Sequence, residues 1–201
     1  MIKNPLADKL TGYQLVLASG SPRRQQFFRD LGIDFIIRIK EVDEVYPPNL
    51  KGGDIADYLA ILKAAPQIDG LEGNEILITS DTVVWHDNAS LAKAQDRTEA
   101  IKMLQKLSGT WHQVITSVCF TTHHLQKIIR DTTWVKFNPI SETEISFYVD
   151  KYQPYDKAGA YGIQDWLGAV AIERIEGSYN TVVGLPTHQV YKTLMDMVSQ
   201  G

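Results

Sequence analysis

The 201-residue chain has a single cysteine, Cys119, which excludes an internal disulfide and a cysteine-based zinc framework. It has no apolar run long enough to span a bilayer. The stretch Met1 to Tyr13 lacks the hydrophobic segment of a secretory signal, so a cytoplasmic protein without a membrane partner is expected. A basic surplus is also missing. Twenty Lys and Arg against 24 Asp and Glu leave a net charge of −4, which argues against a general nucleic-acid binder but allows local basic pockets. No Gly-x-x-x-x-Gly-Lys-Ser/Thr loop is present, which disfavours a Walker-type kinase or ATPase, and no Gly-x-Ser-x-Gly elbow supports a serine hydrolase. Repeats, low-complexity tracts and linkers are absent too. Residues 1–201 are therefore expected to form one domain, with the 44% hydrophobic and 22% charged residues of an ordinary globular protein.

What the chain does have is concentrated near its start. Leu15-Val16-Leu17-Ala18 reads as a buried strand, and Ser19-Gly20-Ser21 as a turn. A helix follows, with Ser21 as N-cap, Pro22 at the first helical position, Phe27, Phe28 and Leu31 on an apolar face, and Gly32 as stop. A strand, a small-residue turn and a helix N-terminus together form an anion site, because free amides point outward with the positive end of the helix dipole behind them. Arg23 and Arg24 stand in the first turn, against that dipole. As a bare pattern they are a solvated basic pair; with an anion between them the placement becomes favourable, and forked guanidiniums suit phosphate oxygens.

Strand and helix patterns then alternate, pointing to an α/β fold with a parallel or mixed sheet. Strands are expected at Phe35–Ile39, Glu75–Trp85, Gln113–Thr121, Gln126–Phe137 and Ala169–Ile175. Helices are expected from Asp54, as cap, to about Ala65; from Asp96, with Glu99 in a capping-box position, to Ser108-Gly109; from Ser141 with Glu144; and over Val190 to Val198. His123-His124 falls in a hairpin turn. Neighbouring residues of an extended chain face opposite ways, so a turn role is preferred over metal binding.

Asp81 is the most informative single residue. A carboxylate within Ile76-Leu-Ile and Val83-Val84 is costly to bury alone. It either caps a turn at the strand end or stands at the sheet edge facing a cleft, as general base or metal ligand, with Thr82 adding a hydroxyl beside it. Glu44, in the acidic run Glu41 to Glu44, is by pattern alone a solvated loop residue, although oxygen ligands such as Glu44 and Asp81 suit Mg²⁺ or Mn²⁺. Lys63 and Lys93 are unremarkable alone. Lys157 adjoins Ala158-Gly159-Ala160, where backbone can approach a ligand closely, and Gln164 carries both donor and acceptor, the equipment for reading a base edge. Attack of water on a nucleotide phosphate would use all these parts: cations for the charge, a divalent metal to polarise, a carboxylate to orient water.

LASGSPRRQQFFRDLG closely resembles the opening motif of the Maf family of nucleoside triphosphate pyrophosphatases. The likeness continues through Ser80-Asp-Thr-Val-Val84, Leu107-Ser-Gly109 with His112-Gln-Val-Ile-Thr116, Asp156-Lys-Ala-Gly-Ala-Tyr-Gly-Ile-Gln164, Glu176-Gly-Ser-Tyr179 and Val183-Gly-Leu-Pro186. It implies a two-lobed α/β fold around a deep cleft, similar to the inosine triphosphate pyrophosphatases, and a metal-dependent cleavage of nucleoside triphosphates to monophosphate and pyrophosphate. By this resemblance Asp81 is the catalytic proton acceptor, Ser19, Arg23 and Arg24 bind phosphate, and Glu44, Lys63 and Lys93 are further site positions. Arg23, Thr82 and Gln164 match positions tied to base selectivity. The Arg-Arg, Asp-Thr and Tyr-Gly-Ile-Gln set resembles the subgroup acting on dTTP and UTP; the alternatives are the 7-methyl-GTP subgroup and a nucleotide-sensing regulator of cell division without turnover. The family often forms dimers, so a homodimer is expected from the likeness, not from any residue pattern. The chain departs from the family in two places. Ala94 follows Lys93 where a proline is usual, and Asp165-Trp166-Leu167 replaces a glycine-rich continuation.

Overall fold

In the computed structural model, which describes residues 4–199, the chain opens with a helical turn, α1 (Pro5–Lys9). Its cap is Asn4, whose side-chain oxygen accepts from the Leu6 and Ala7 amides. Strand β1 (Gln14–Leu17), helix α2 (Pro22–Asp30) and a two-residue strand β2 (Ile36–Ile37) follow, then helix α3 (Gly53–Ala64). Next come β3 (Glu75–His86), β4 (Ala89–Leu91), α4 (Arg97–Leu107), and the hairpin of β5 (Trp111–Thr121) and β6 (Gln126–Phe137). The chain closes with α5 (Glu142–Tyr152), α6 (Trp166–Ala171), β7 (Ile172–Glu176), α7 (Tyr179–Val183) and α8 (Thr187–Val198).

One mixed sheet runs in the order β2-β1-β3-β5-β6-β7, with β4 added beside β3. Strands β2 and β3 are parallel to β1; the remaining pairings are antiparallel. Period-two alternation decides where the cores sit. On one face of β3, Leu77, Thr79, Asp81 and Val83 turn toward α3. On the other face, Ile76 and Ile78 join a core with α1, α2 and α8, while Val84 joins a second core with α4, α5 and α6. Two lobes thus share one central strand, and the residues between their cores on that face are the polar Ser80 and Thr82.

The expected elements differ from the observed ones at several points. Asp54 does not cap α3: Gly52 holds the cap position, and the Asp54 carboxylate is drawn 2.7 Å from Arg130 on β6 instead. The strand expected over Phe35–Ile39 is limited to Ile36–Ile37; the Arg38 amide still donates to the Leu17 carbonyl at 3.2 Å while its side chain pairs with the buried Glu75, and the chain leaves β1 after it. Ala169 to Ala171 are helical, not extended, consistent with the helix preference of alanine, and the strand begins at Ile172. Asp81 lies on an interior strand and not on an edge strand, although one flank of that stretch is locally open. The capping box at Ser141 and Glu144 forms in full, whereas at Asp96 the Glu99 side chain reaches the Gln95 amide, one residue early. His123-His124 is the exposed hairpin turn. None of the described helices is long and apolar enough to cross a membrane.

One buried polar pair ties the second core together. His112 of β5 is 1% exposed, and its Nε2 lies 2.7 Å from the Tyr161 hydroxyl. Burial, with a contribution from His86, lowers its pKa from 6.5 to about 3. Between those values the unfolded chain takes a proton that the native state refuses, so stability falls as pH drops through that window. His112→Gln should flatten the pH dependence of the urea-unfolding free energy between about pH 6 and pH 4 by roughly 1.4 kcal/mol per pH unit, one proton's worth. An unchanged slope would clear His112 of this role.

Candidate active site

The cleft originates in the sheet itself. Strand β1 pairs with β3 only as far as Ile78, and β4 pairs with it only from Val84, while β5 covers the opposite flank throughout. From Thr79 to Val83 the β1 side of β3 has no strand beside it among the described residues. Over this gap lies a cavity of about 920 Å³, lined by Ser19, Arg23, Arg24, Glu44, Lys63, Asp81, Thr82, Lys93, Lys157 and Gln164 among others. All ten residues singled out in the sequence therefore share one cavity.

The turn after β1 delivers the first group. Ser21 occupies the N-cap position of α2 but makes no side-chain cap bond, and Pro22 has no N–H to satisfy. The Ser19 hydroxyl accepts from the Ser21 amide at 3.3 Å, folding the turn over the helix start. Arg23 reaches into the cavity and pairs with Asp156 at 3.1 Å. Arg24 points elsewhere. Its Nε donates to the Gly184 carbonyl at 2.9 Å, Nη1 to the Ser80 carbonyl at 3.1 Å, and Nη2 to the Thr82 hydroxyl at 3.0 Å. Thr82 in turn is 2.9 Å from the Thr116 hydroxyl, which donates to the Thr181 carbonyl at 2.8 Å. Thr116 gives its proton to Thr181, so Thr82 gives its own to Thr116 and accepts from Arg24. The Thr82 proton is thus already committed within the protein.

On the opposite face of β3, Asp81 meets α3. Lys63 Nζ lies 2.6 Å from Asp81 Oδ1 and 3.1 Å from Glu44 Oε1, and Lys93 lies 3.8 Å from the same Glu44 oxygen. Glu44 comes from the long segment between β2 and α3, which carries no regular structure from residue 38 to 50. Its position therefore depends on the ion pairs with the two lysines. The environment drives the two carboxyls apart. Burial raises Asp81 above its ordinary 3.8, against the opposing pull of Lys63. Glu44 feels burial as well, but Lys63, Lys93 and Arg24 outweigh it and hold its pKa below the usual range. Two acids displaced in opposite senses suit two roles, one that can take a proton and one that stays charged.

The glycine-rich segment closes the other end. Its Gly159 amide bonds to the carbonyls at the end of β4, and Ala158 forms a β-bridge with Lys93. This fastens Lys93 and Lys157 to the same edge of the cavity. Lys157 contacts Asp156 at 2.8 Å and Asp165 at 3.8 Å. Gln164 donates to Asp165 at 3.3 Å, and Tyr161 and Gly162 line the wall beside it. Sequence reading quotes Asp156, Tyr161 and Asp165 only as parts of motifs and gives none of them a role in the site. The available signal was that the two aspartates bracket the glycine-rich loop, each next to a residue already singled out.

The family model for Maf-like proteins matches residues 14–197. The chain belongs to that family. A Flavobacterium johnsoniae relative named dTTP/UTP pyrophosphatase is 51% identical over 193 residues, covering 96% of this chain and all of the relative. Relatives of the same name from Christiangramia forsetii and Bacteroides fragilis are 50% and 47% identical, each covering at least 94% of this chain and 98% of their own length. Among solved structures, the Ham1 protein of Staphylococcus aureus superposes with a TM-score of 0.51 at 16% identity, over 92% of this chain and 99% of that one. At that identity it shows the shared α/β fold.

In this Maf-like chain the two neighbouring arginines should behave differently when replaced. Arg24→Ala strands the Ser80 and Gly184 carbonyls, and should lower stability by roughly 2 to 3 kcal/mol in urea unfolding. Arg23→Ala should leave unfolding unchanged and raise KM. Equal stability losses in the two variants would contradict the assignment of Arg24 as a clamp.

Proposed function

We propose that the chain is a metal-dependent pyrophosphatase for dTTP and UTP, releasing the monophosphate and pyrophosphate. The observation that carries this reading is the convergence on Lys63, within 3.1 Å, of Asp81 and Glu44 beside the N-terminus of α2. The names of the relatives at about half identity support the substrate. In this reading the polyphosphate lies along the first-turn amides of α2, Arg23, Lys63 and Lys93, and the base lies toward Tyr161 and Gln164. Phosphate oxygens would compete with Glu44 and Asp156 for the cations they hold. Water attacks the α-phosphorus and gives its proton to Asp81. The bridging oxygen to the β-phosphorus leaves with the bond's electrons as pyrophosphate. Most of the acceleration rests on positioning and charge stabilisation, with general-base help contributing on the order of 10² to 10⁴-fold.

Glu44 and Asp81 also fit a divalent cation. Both carboxylates converge on one lysine nitrogen, so an ion taking its place would have both as neighbours, and an all-oxygen pair suits Mg²⁺ or Mn²⁺. Among the described residues no group of three or more His, Cys, Asp or Glu could hold a metal, so water and phosphate oxygens would complete the coordination. Bound there, the cation would neutralise phosphate charge and polarise the phosphoryl group.

Asp81→Asn should reduce pyrophosphate release from dTTP and UTP by at least about 10²-fold while nucleotide binding, read by calorimetry, survives. Near-normal turnover would remove Asp81 from the mechanism. Chelation should abolish turnover of the unsubstituted protein, and added Mg²⁺ or Mn²⁺ should restore it; activity persisting in chelator would refute the metal. Release from 7-methyl-GTP at a rate matching dTTP would overturn the substrate assignment.

A further inference from the structure

Asp165 occupies the N-cap position of α6, where an aspartate ordinarily accepts the first free amides of the helix, yet it makes no cap bond. Its carboxylate instead stands behind the cleft wall, between the buried Tyr148 and Gln164, which lines the cavity. Oδ2 accepts from the Tyr148 hydroxyl at 2.8 Å and lies 3.8 Å from Lys157 Nζ, while Oδ1 accepts from Gln164 Nε2 at 3.3 Å. Tyr148 is fully buried, and its oxygen accepts the Gly162 amide at 3.1 Å, which holds the anchor in place. Gly162 makes the arrangement sterically feasible. A Cβ there would stand 2.6 Å from Asp165 Oδ2 and 2.7 Å from Gln164 Nε2.

A carboxylate can only accept, so the atom of the Gln164 amide that faces it must be the nitrogen. The amide oxygen and the second N–H are then left for the cleft. Uracil and thymine present an N3–H donor beside the C4 carbonyl acceptor, which matches that order. Cytosine presents an N3 acceptor beside an amino donor, and reading it would require the amide to flip. The flip would set the Gln164 oxygen against the Asp165 carboxylate, two acceptors without a proton between them. We propose that Asp165 is a positioning residue that fixes the Gln164 amide and so makes the site discriminate uracil and thymine from cytosine. This inference rests on the reading that the base lies against Gln164.

The experiment compares kcat/KM for pyrophosphate release from UTP and CTP in the unsubstituted protein, Asp165→Asn, Asp165→Glu and Asp165→Ala. The unsubstituted protein should favour UTP. In Asp165→Asn the oxygen stays toward Tyr148 and Lys157, the new amide faces Gln164, and the flip becomes favourable. The UTP-to-CTP ratio should therefore fall by roughly tenfold or more, through a gain in CTP turnover. Asp165→Glu, still an acceptor only, should keep the ratio near its original value. Asp165→Ala removes the lock without reversing it and should lower the ratio by a smaller factor, which keeps the test open if the asparagine variant fails to fold. An unchanged ratio in Asp165→Asn or Asp165→Ala overturns the proposal, as does a loss in Asp165→Glu as large as in Asp165→Asn. Equal kcat/KM for UTP and CTP in the unsubstituted protein also refutes the lock, but leaves the wider reading intact. Absence of release from both UTP and dTTP overturns that wider reading and this inference with it.

Discussion

A strand left without a neighbour in mid-sheet exposes carbonyls that must find donors, and in this protein that condition creates the cleft. Strand β3 loses β1 after Ile78 and regains a partner, β4, only at Val84. Arg24 fills part of the gap, carrying the Ser80 carbonyl and, from the segment after α7, the carbonyl of Gly184. An unsatisfied buried carbonyl costs about 1 to 3 kcal/mol, so the open flank is sustainable because a guanidinium with five donors stands in it. The same residue links α2, β3 and the segment after α7. The floor of the site and the turn after β1 therefore keep a defined separation.

Charge is distributed by a different principle. The chain as a whole is acidic, with a net charge of −4, yet its cleft gathers Arg23, Lys63, Lys93 and Lys157. Each is held against at least one carboxylate. Arg23 and Lys157 pair with Asp156, and Lys63 and Lys93 with Glu44. Carboxylates placed this way hold long side chains in position and lower the self-repulsion of the cluster. In the proposed reading, a polyphosphate would displace one set of anionic oxygens with another, without first ordering the cations. Asp81 differs because it is 7% exposed on an interior strand, where burial works against its charge and Lys63 works for it.

Legibility in the sequence followed local chemistry. The β1 turn and α2, with Pro22 at the first position, Phe28 buried and the chain turning at Gly32, could be read residue by residue because cap, dipole and apolar face are properties of one segment. The capping box at Ser141 was readable for the same reason. Asp54 was misleading. Its sequence suits a cap, but Arg130, 76 residues away, offers a stronger partner, and no local pattern records that choice. The likeness of Arg23 and Arg24 in sequence also conceals their difference. Helical spacing turns them about 100° apart, one toward the cavity and one toward β3, and only the folded sheet supplies the carbonyls that engage the second. The short helices α1 and α7 went unrecognised because five residues carry little periodicity.

Recognition of a polyphosphate by guanidinium and ammonium groups depends on charge and carries no information about the base. Whatever selectivity the protein has must therefore come from the opposite end of the cavity, where uncharged groups can tell a donor from an acceptor. Thr82 is poorly suited to that task, since its proton goes to Thr116 and its oxygen already accepts from Arg24. Gln164 is suited, but an amide alone is ambiguous: rotated by half a turn it reads the opposite pattern at almost no energetic cost. Selectivity then requires a second group that makes one rotation worse. The departure of this chain from the glycine-rich continuation usual after Gln164 places an acid at that point, next to a buried tyrosine that keeps it from turning away. A change that looks in sequence like the loss of a flexible loop is, in physical terms, the replacement of conformational freedom by a fixed hydrogen-bond polarity.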